Sequence, residues 1–179
     1  MAQAQKPVRR PQPRGFKFRR RFHARTGDLR RSGCRVLTAF LLDTNVLSAS
    51  RRPQRQADEF QAFLRAFDVD TAYISTVTIM EIEFGIQRVR LQNPPFADDL
   101  LSWLTTIVLP EFSGRIIPFD IREASLAGRL TTPHRQPTAD AMIAATALAH
   151  RLVLVTRNVA DFQALGVSCL NPWQTRLED

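Results

Sequence analysis

Residues 36–45 read VLTAFLLDTN. Within them AFLL (39–42) is a short run of apolar residues that stops at an acid, Asp43, and passes into TNVLSAS (44–50), which has a helix-like pattern. An apolar run of this length, closed by a turn residue, is the pattern of a strand buried on both faces. The same alternation repeats downstream. QADEFQAFLRAF (56–67) carries Ala57, Phe60, Phe63, Leu64 and Phe67 at helical spacing, after a break at Arg51-Arg52-Pro53. TAYIS (71–75) predicts a second strand and TVTIMEIEFGIQRV (76–89) a helix. Pro94-Pro95 opens another helix, FADDLLSWLTTIVL (96–109), because proline is tolerated in a first helical turn. RIIPF (115–119) predicts a third strand, DIREASLAGRL (120–130) a helix, and TADAMIAATALAHR (138–151) a helix apolar on nearly every side. LVLVT (152–156) predicts a fourth strand, VADFQAL (159–165) a short helix, and VSCL (167–170) a fifth strand.

Short apolar strands joined by helical crossovers imply an α/β fold, a parallel β-sheet of four to five strands flanked by helices on both faces. Such sheets bind ligands at the carboxyl ends of their strands, where the crossovers diverge. Acids that follow a strand directly, or begin the next helix, are therefore the site candidates.

Upstream, the character of the chain changes. Residues 1–39 hold 12 of the 25 Lys+Arg and a single acid, Asp28, so the basic balance belongs to this end and the rest is mildly acidic. Residues 1–35, with Pro7, Pro11 and Pro13 among the arginines, have no helical or strand period and are expected to be disordered. They read as a phosphate-neutralising arm, as a solvated tail, or as an upstream extension of a chain whose start lies near Val36. The expected organisation is this basic extension, 1–35, and one domain, 36–179, of a size suited to a single core.

The longest apolar run, AMIAATALA (141–149), is about half of what a membrane span needs, and no apolar segment follows the basic start as a secretory signal requires. A cytoplasmic protein without a membrane partner is expected. Cys34 and Cys169 form no CxxC pair; Cys169 reads as a small buried hydrophobe, and a disulfide between the two is disfavoured in a reducing compartment. His23, His134 and His150 are scattered and read as surface residues.

The chemistry rests on carboxylates. Asp43 ends the first strand, where an acid serves equally well as a helix cap. Glu81 lies near the start of the helix after the second strand, and Thr78 and Glu81 have capping-box spacing. Glu83 projects elsewhere on that helix. Asp140 begins the most apolar helix, where the dipole favours an acid but burial demands a cation or donors. Asn158 and Asp161 follow the fourth strand and are turn residues or members of the same crevice. Acids brought together at several strand ends repel one another, and a divalent cation relieves that repulsion. Oxygen-only donors favour magnesium, with manganese as a substitute, over zinc or copper.

In order and spacing, LLDTNVLS, TVTIMEIEFG, PTADAMIAATALAH and LVTRNVADF resemble the four acidic motifs of PIN-domain nucleases, and GRIIPFD and NPW resemble the FitB-like branch of the VapC and FitB toxins. The resemblance covers roughly residues 38–175. It implies a PIN fold, magnesium-dependent cleavage of RNA by the toxin of a toxin–antitoxin pair, a homodimer, and a small cognate antitoxin through which alone DNA is contacted. It carries the catalytic and metal-binding roles to Asp43, Glu81 and Asp140, and leaves the fourth position to Asp161 or Asn158. For the dimer, the helix regions TVTIMEIEFGIQ and FADDLLSWLTTIVL carry more apolar residues than one face needs, and Trp103, Leu104 and Ile107 are the expected contacts.

Other α/β classes fit less well. A phosphorelay receiver needs a late lysine, and the only lysines are Lys6 and Lys17. A haloacid-dehalogenase-type phosphatase needs DxD, and position 45 is Asn; nucleotide-binding loops need glycines that DTNVLS lacks. A non-catalytic RNA- or partner-binding module on the same fold is the alternative function.

Overall fold

The computed structural model describes residues 38–132 and 136–174. The expectations for the basic segment 1–35, for Cys34 and its pairing, and for His23 and His134 fall outside them.

Five parallel strands form the sheet: β1 (Phe40–Leu42), β2 (Ala72–Ser75), β3 (Ile116–Ile117), β4 (Val153–Val155) and β5 (Cys169–Leu170), in the order β3-β2-β1-β4-β5. Phe40 faces Ala72 on one side and Val153 on the other, which fixes the central register. The helices are α1 (Thr44–Ser50), α2 (Asp58–Ala66), α3 (Thr76–Arg90), α4 (Pro94–Trp103), α5 (Leu109–Glu111), α6 (Ile121–Ala127), α7 (Ala139–His150) and α8 (Val159–Ala164).

The two faces of the sheet carry separate cores, and the alternation of side chains along each strand divides them. Leu42, Ile74 and Val155 point to a core completed by Val46, Leu47, Phe60, Phe63, Leu64, Trp103 and Phe112. Leu41, Leu154 and Ile117 point to the other, completed by Ile143, Ala144, Ala147 and Phe162. The alanines of α7 explain its all-round apolar sequence: Ala141, Ala144, Ala145 and Ala147 are fully buried.

Two expectations are corrected. The third strand spans only Ile116–Ile117. Pro118 has no N–H to extend a ladder, and the Phe119 N–H donates to Thr76 Oγ1 at 2.9 Å. Trp103 and Leu104 are not free for a second copy; they are buried in their own core, with Ile107 packed against it. Between α4 and α5 the helix passes through a π-helical stretch, Leu104–Val108, in which the Leu109 N–H reaches back to the Leu104 carbonyl. The wider turn comes just before Pro110, which lacks an N–H for the regular ladder.

The chain enters at the centre of the sheet, builds β2 and β3 outward on one side, and returns to build β4 and β5 on the other. Strand order therefore reverses between β1 and β4, and the crevice at their carboxyl ends is the natural ligand position of an open parallel sheet.

Candidate active site: an acidic crevice at the reversal of strand order

Asp43 and Thr156 leave β1 and β4 on the two sides of this reversal. Asp43 is buried, caps α1 by accepting from the Thr44 N–H at 2.7 Å, and accepts from Thr156 Oγ1 at 2.6 Å and Asn45 Nδ2 at 2.6 Å. Asn45 Nδ2 also lies 3.2 Å from Thr156 Oγ1, and the Asn158 N–H donates to that hydroxyl at 3.0 Å. Asp43 thus does the capping that sequence alone allows and also anchors a hydroxyl and amide network across the sheet.

Glu81 stands one turn into α3. Its expected capping role with Thr78 is not what the structure has: Ser75 is the cap, its hydroxyl accepting from the Val77 and Thr78 N–H groups at 2.9 and 3.2 Å. Glu81 is left free of the helix end, and its Oε2 accepts from the Thr44 hydroxyl next to Asp43. Asp140 occupies the first turn of α7, half-buried, behind a Thr138 cap that accepts from the Ala141 N–H at 3.1 Å.

Electrostatics ties these groups together. Burial is the largest influence on Asp43 and raises its pKa; its three hydrogen bonds oppose the rise, and the charge of Asp140 adds to it. Burial likewise raises Glu81, against the Thr44 hydrogen bond and with the charges of Asp43 and Asp140. Asp140 is raised by burial and then by Asp161. The charge of Asp140 thus reaches Asp43 and Glu81, and that of Asp161 reaches Asp140 from an exposed position in the first turn of α8. Asn158 is exposed, and its side chain makes no cap; only its backbone joins the network.

The donor set is all oxygen, as a hard divalent cation prefers. Among the described residues, no three Asp, Glu, His or Cys side chains are already spaced to close on one ion. Hydroxyls stand between the acids instead. Thr44, Asn45 and Thr156 were not among the residues singled out from sequence; their only signal was adjacency to strand ends.

The PIN domain profile matches residues 40–166, which contain all four acids. The chain belongs to the PIN-domain family. It is 36% identical over 138 residues to Toxin FitB of Neisseria gonorrhoeae, covering 74% of this chain and 97% of FitB. It is 32% identical over 148 residues to VapC ribonuclease Y4jK of Sinorhizobium fredii, covering 75% and 97%. Among solved structures it resembles one from a FitAB complex bound to an IR36 DNA fragment, with a TM-score of 0.66, 32% identity, and 78% and 99% of the two chains covered. The PIN fold gives the acidic crevice its frame: each acid sits where this sheet delivers its strand ends and helix starts. No helix among the described residues is long and apolar enough to cross a membrane.

Proposed function

We propose that this chain is a magnesium-dependent endoribonuclease acting as the toxin of a toxin–antitoxin pair, with manganese as a substitute for magnesium. The observation that carries the reading is the gathering of acids at the reversal of strand order: Asp43 and Glu81 both accept from Thr44, burial raises both and Asp140, and the charge of Asp140 adds to the rise of Asp43 and Glu81. The names of its FitB and VapC relatives support the same conclusion. Asp43, Glu81 and Asp140 would hold the cation. Asp161 is the better candidate than Asn158 for the fourth position, since its charge acts on Asp140 while the Asn158 side chain is not engaged. A divalent cation bound there lowers the pKa of a water and stabilises charge developing at phosphorus.

The chain's own residues prepare for that chemistry. Thr156 and Asn45 fix the orientation of Asp43, and Thr44 holds Glu81 beside it, so these two carboxylates are positioned by hydrogen bonds before substrate arrives. The combined negative charge of these carboxylates gives a phosphodiester no reason to approach unless it is offset, which makes cation and RNA binding interdependent.

The proposed partners are RNA as substrate, a small antitoxin that places an arginine against the carboxylates, and a second copy of the chain. DNA would be met only through the antitoxin. The reading is tested by incubating the purified chain and its Asp43→Asn variant with single-stranded RNA and magnesium. The wild type is expected to cut and the variant to lose more than about 100-fold, beyond the usual cost of losing an outer-sphere partner. Equal cleavage by both would overturn the assignment of Asp43.

A further inference from the structure

The geometry points to Arg157 and Trp173 as a binding site for a phosphate of the RNA strand beside the acidic crevice, an inference that rests on the ribonuclease reading above. Arg157 directly follows Thr156, whose hydroxyl donates to Asp43. Its backbone N–H donates to Asn45 Oδ1 at 3.2 Å, and the same amide donates to Asp43 from Nδ2 at 2.6 Å. One side-chain amide thus sets both the carboxylate and the start of the Arg157 side chain. Arg157 is exposed, and its guanidinium lies over the Trp173 ring, 5.5 Å from the centroid.

Trp173 is itself firmly held. It stacks on the fully buried Phe60, centroids 4.3 Å apart and planes at 20°, and donates from Nε1 to Gln56 Oε1 at 3.3 Å, while its backbone N–H donates to Asn171 Oδ1 at 3.0 Å. Among the described residues the Arg157 side chain has no carboxylate partner and makes no hydrogen bond. A guanidinium that uses its face on a ring keeps the N–H groups at its edge for a planar, bidentate acceptor, which phosphate supplies.

The charge pattern makes the site complementary to a nucleic-acid strand. The acids need a cation before they tolerate phosphate, whereas Arg157 needs none. A strand whose scissile phosphate lies at the carboxylates would leave a neighbouring phosphate for Arg157 and expose an adjoining base to the partly covered edge of Trp173. Arg157 would therefore serve in binding and register, without choosing sequence through the phosphate itself.

The test is equilibrium binding of a single-stranded RNA oligonucleotide to the Asp140→Asn protein, with and without Arg157→Ala or Arg157→Lys, across a salt series. Wild-type cleavage with magnesium is measured in parallel, so that the fate of the ribonuclease reading is seen separately. Arg157→Ala is expected to raise Kd about tenfold or more, as loss of a charged hydrogen bond does, and to lower the slope of log Kd against log salt by about 0.7. Arg157→Lys should restore the slope and only part of the affinity. In active protein, Arg157→Ala should raise KM more than it lowers kcat. Unchanged Kd and slope in a protein whose wild type cuts RNA would overturn the site and leave the reaction standing. Loss of binding to a protein partner with RNA affinity intact would likewise overturn it. RNA that binds none of these proteins would overturn both readings.

Discussion

At Asp140 the requirements of folding and function oppose each other. Burial and the charge of Asp161 raise its pKa, so the folded state holds its proton to a higher pH than the unfolded chain does. Stability from this group is therefore present at low pH and is lost as pH rises through the elevated value; at neutral pH the ionised carboxylate works against the fold. Asp140→Asn should raise Tm by a few degrees at neutral pH in the absence of metal. The gain should shrink as pH falls toward the ordinary carboxyl value of 3.8. The same variant should lose metal-dependent cleavage. Calorimetry across pH checks the first outcome; a variant less stable than wild type at neutral pH would show that Asp140 is not the strained carboxylate described here. Glu81 illustrates a complementary point. Its spacing from Thr78 allowed a structural role, but Ser75 takes the cap and leaves Glu81 to Thr44 and the crevice.

Among the elements, α6 carries the clearest capping chemistry outside the site. Asp120 and Glu123 form a reciprocal capping box in which Glu123 accepts from the Asp120 N–H at 3.1 Å, and His150 Nε2 lies 3.0 Å from its other oxygen. Burial pushes the Glu123 carboxyl up, but the Glu123 and Asp120 N–H groups and His150 together outweigh it and leave the group below its ordinary value of 4.5. A carboxyl lowered by folding stabilises above its unfolded pKa, and that stability is lost as pH falls through the folded value. Glu123→Gln keeps an oxygen for the Asp120 N–H but loses the charge that faces His150, so it should lower the urea midpoint near neutral pH, with the difference from wild type closing as pH drops below 4.5. A difference that stays constant with pH would assign the loss to packing. The elements also show what was legible in the sequence. AFLL, TAYIS and LVLVT gave their strands because apolar runs buried on both faces need no partner information. RIIPF overran its strand because the cost of Pro118 depends on which neighbour would have received its missing N–H. Asp43, Glu81, Asp140 and Asp161 were legible as acids after strands, whereas Thr44, Asn45 and Thr156 were not, since a hydroxyl's role depends on what stands across the crevice.

For the whole molecule, the outer surface of α3 differs from its buried side. Met80 and Phe84 are 52% and 65% exposed, and Leu91, at the helix's end, 88%. At 100° per residue the three fall on one stripe, the kind of apolar face a second copy covers. The sequence pointed to both TVTIMEIEFGIQ and the segment with Trp103, Leu104 and Ile107, since both are apolar and helical; only the packing of α4 against α3 sorts inner from outer. If the chain pairs through α3, Phe84→Lys should convert a dimeric mass in light scattering to a monomeric one without lowering Tm, and a dimer that persists would place the interface elsewhere. The central claim concerns the crevice in which the two halves of the sheet meet, and its most direct test is removal of the metal. Purified chain should cleave single-stranded RNA in magnesium, lose that activity with EDTA, and regain it with added magnesium or manganese. Cleavage that continues undiminished in EDTA would contradict the account.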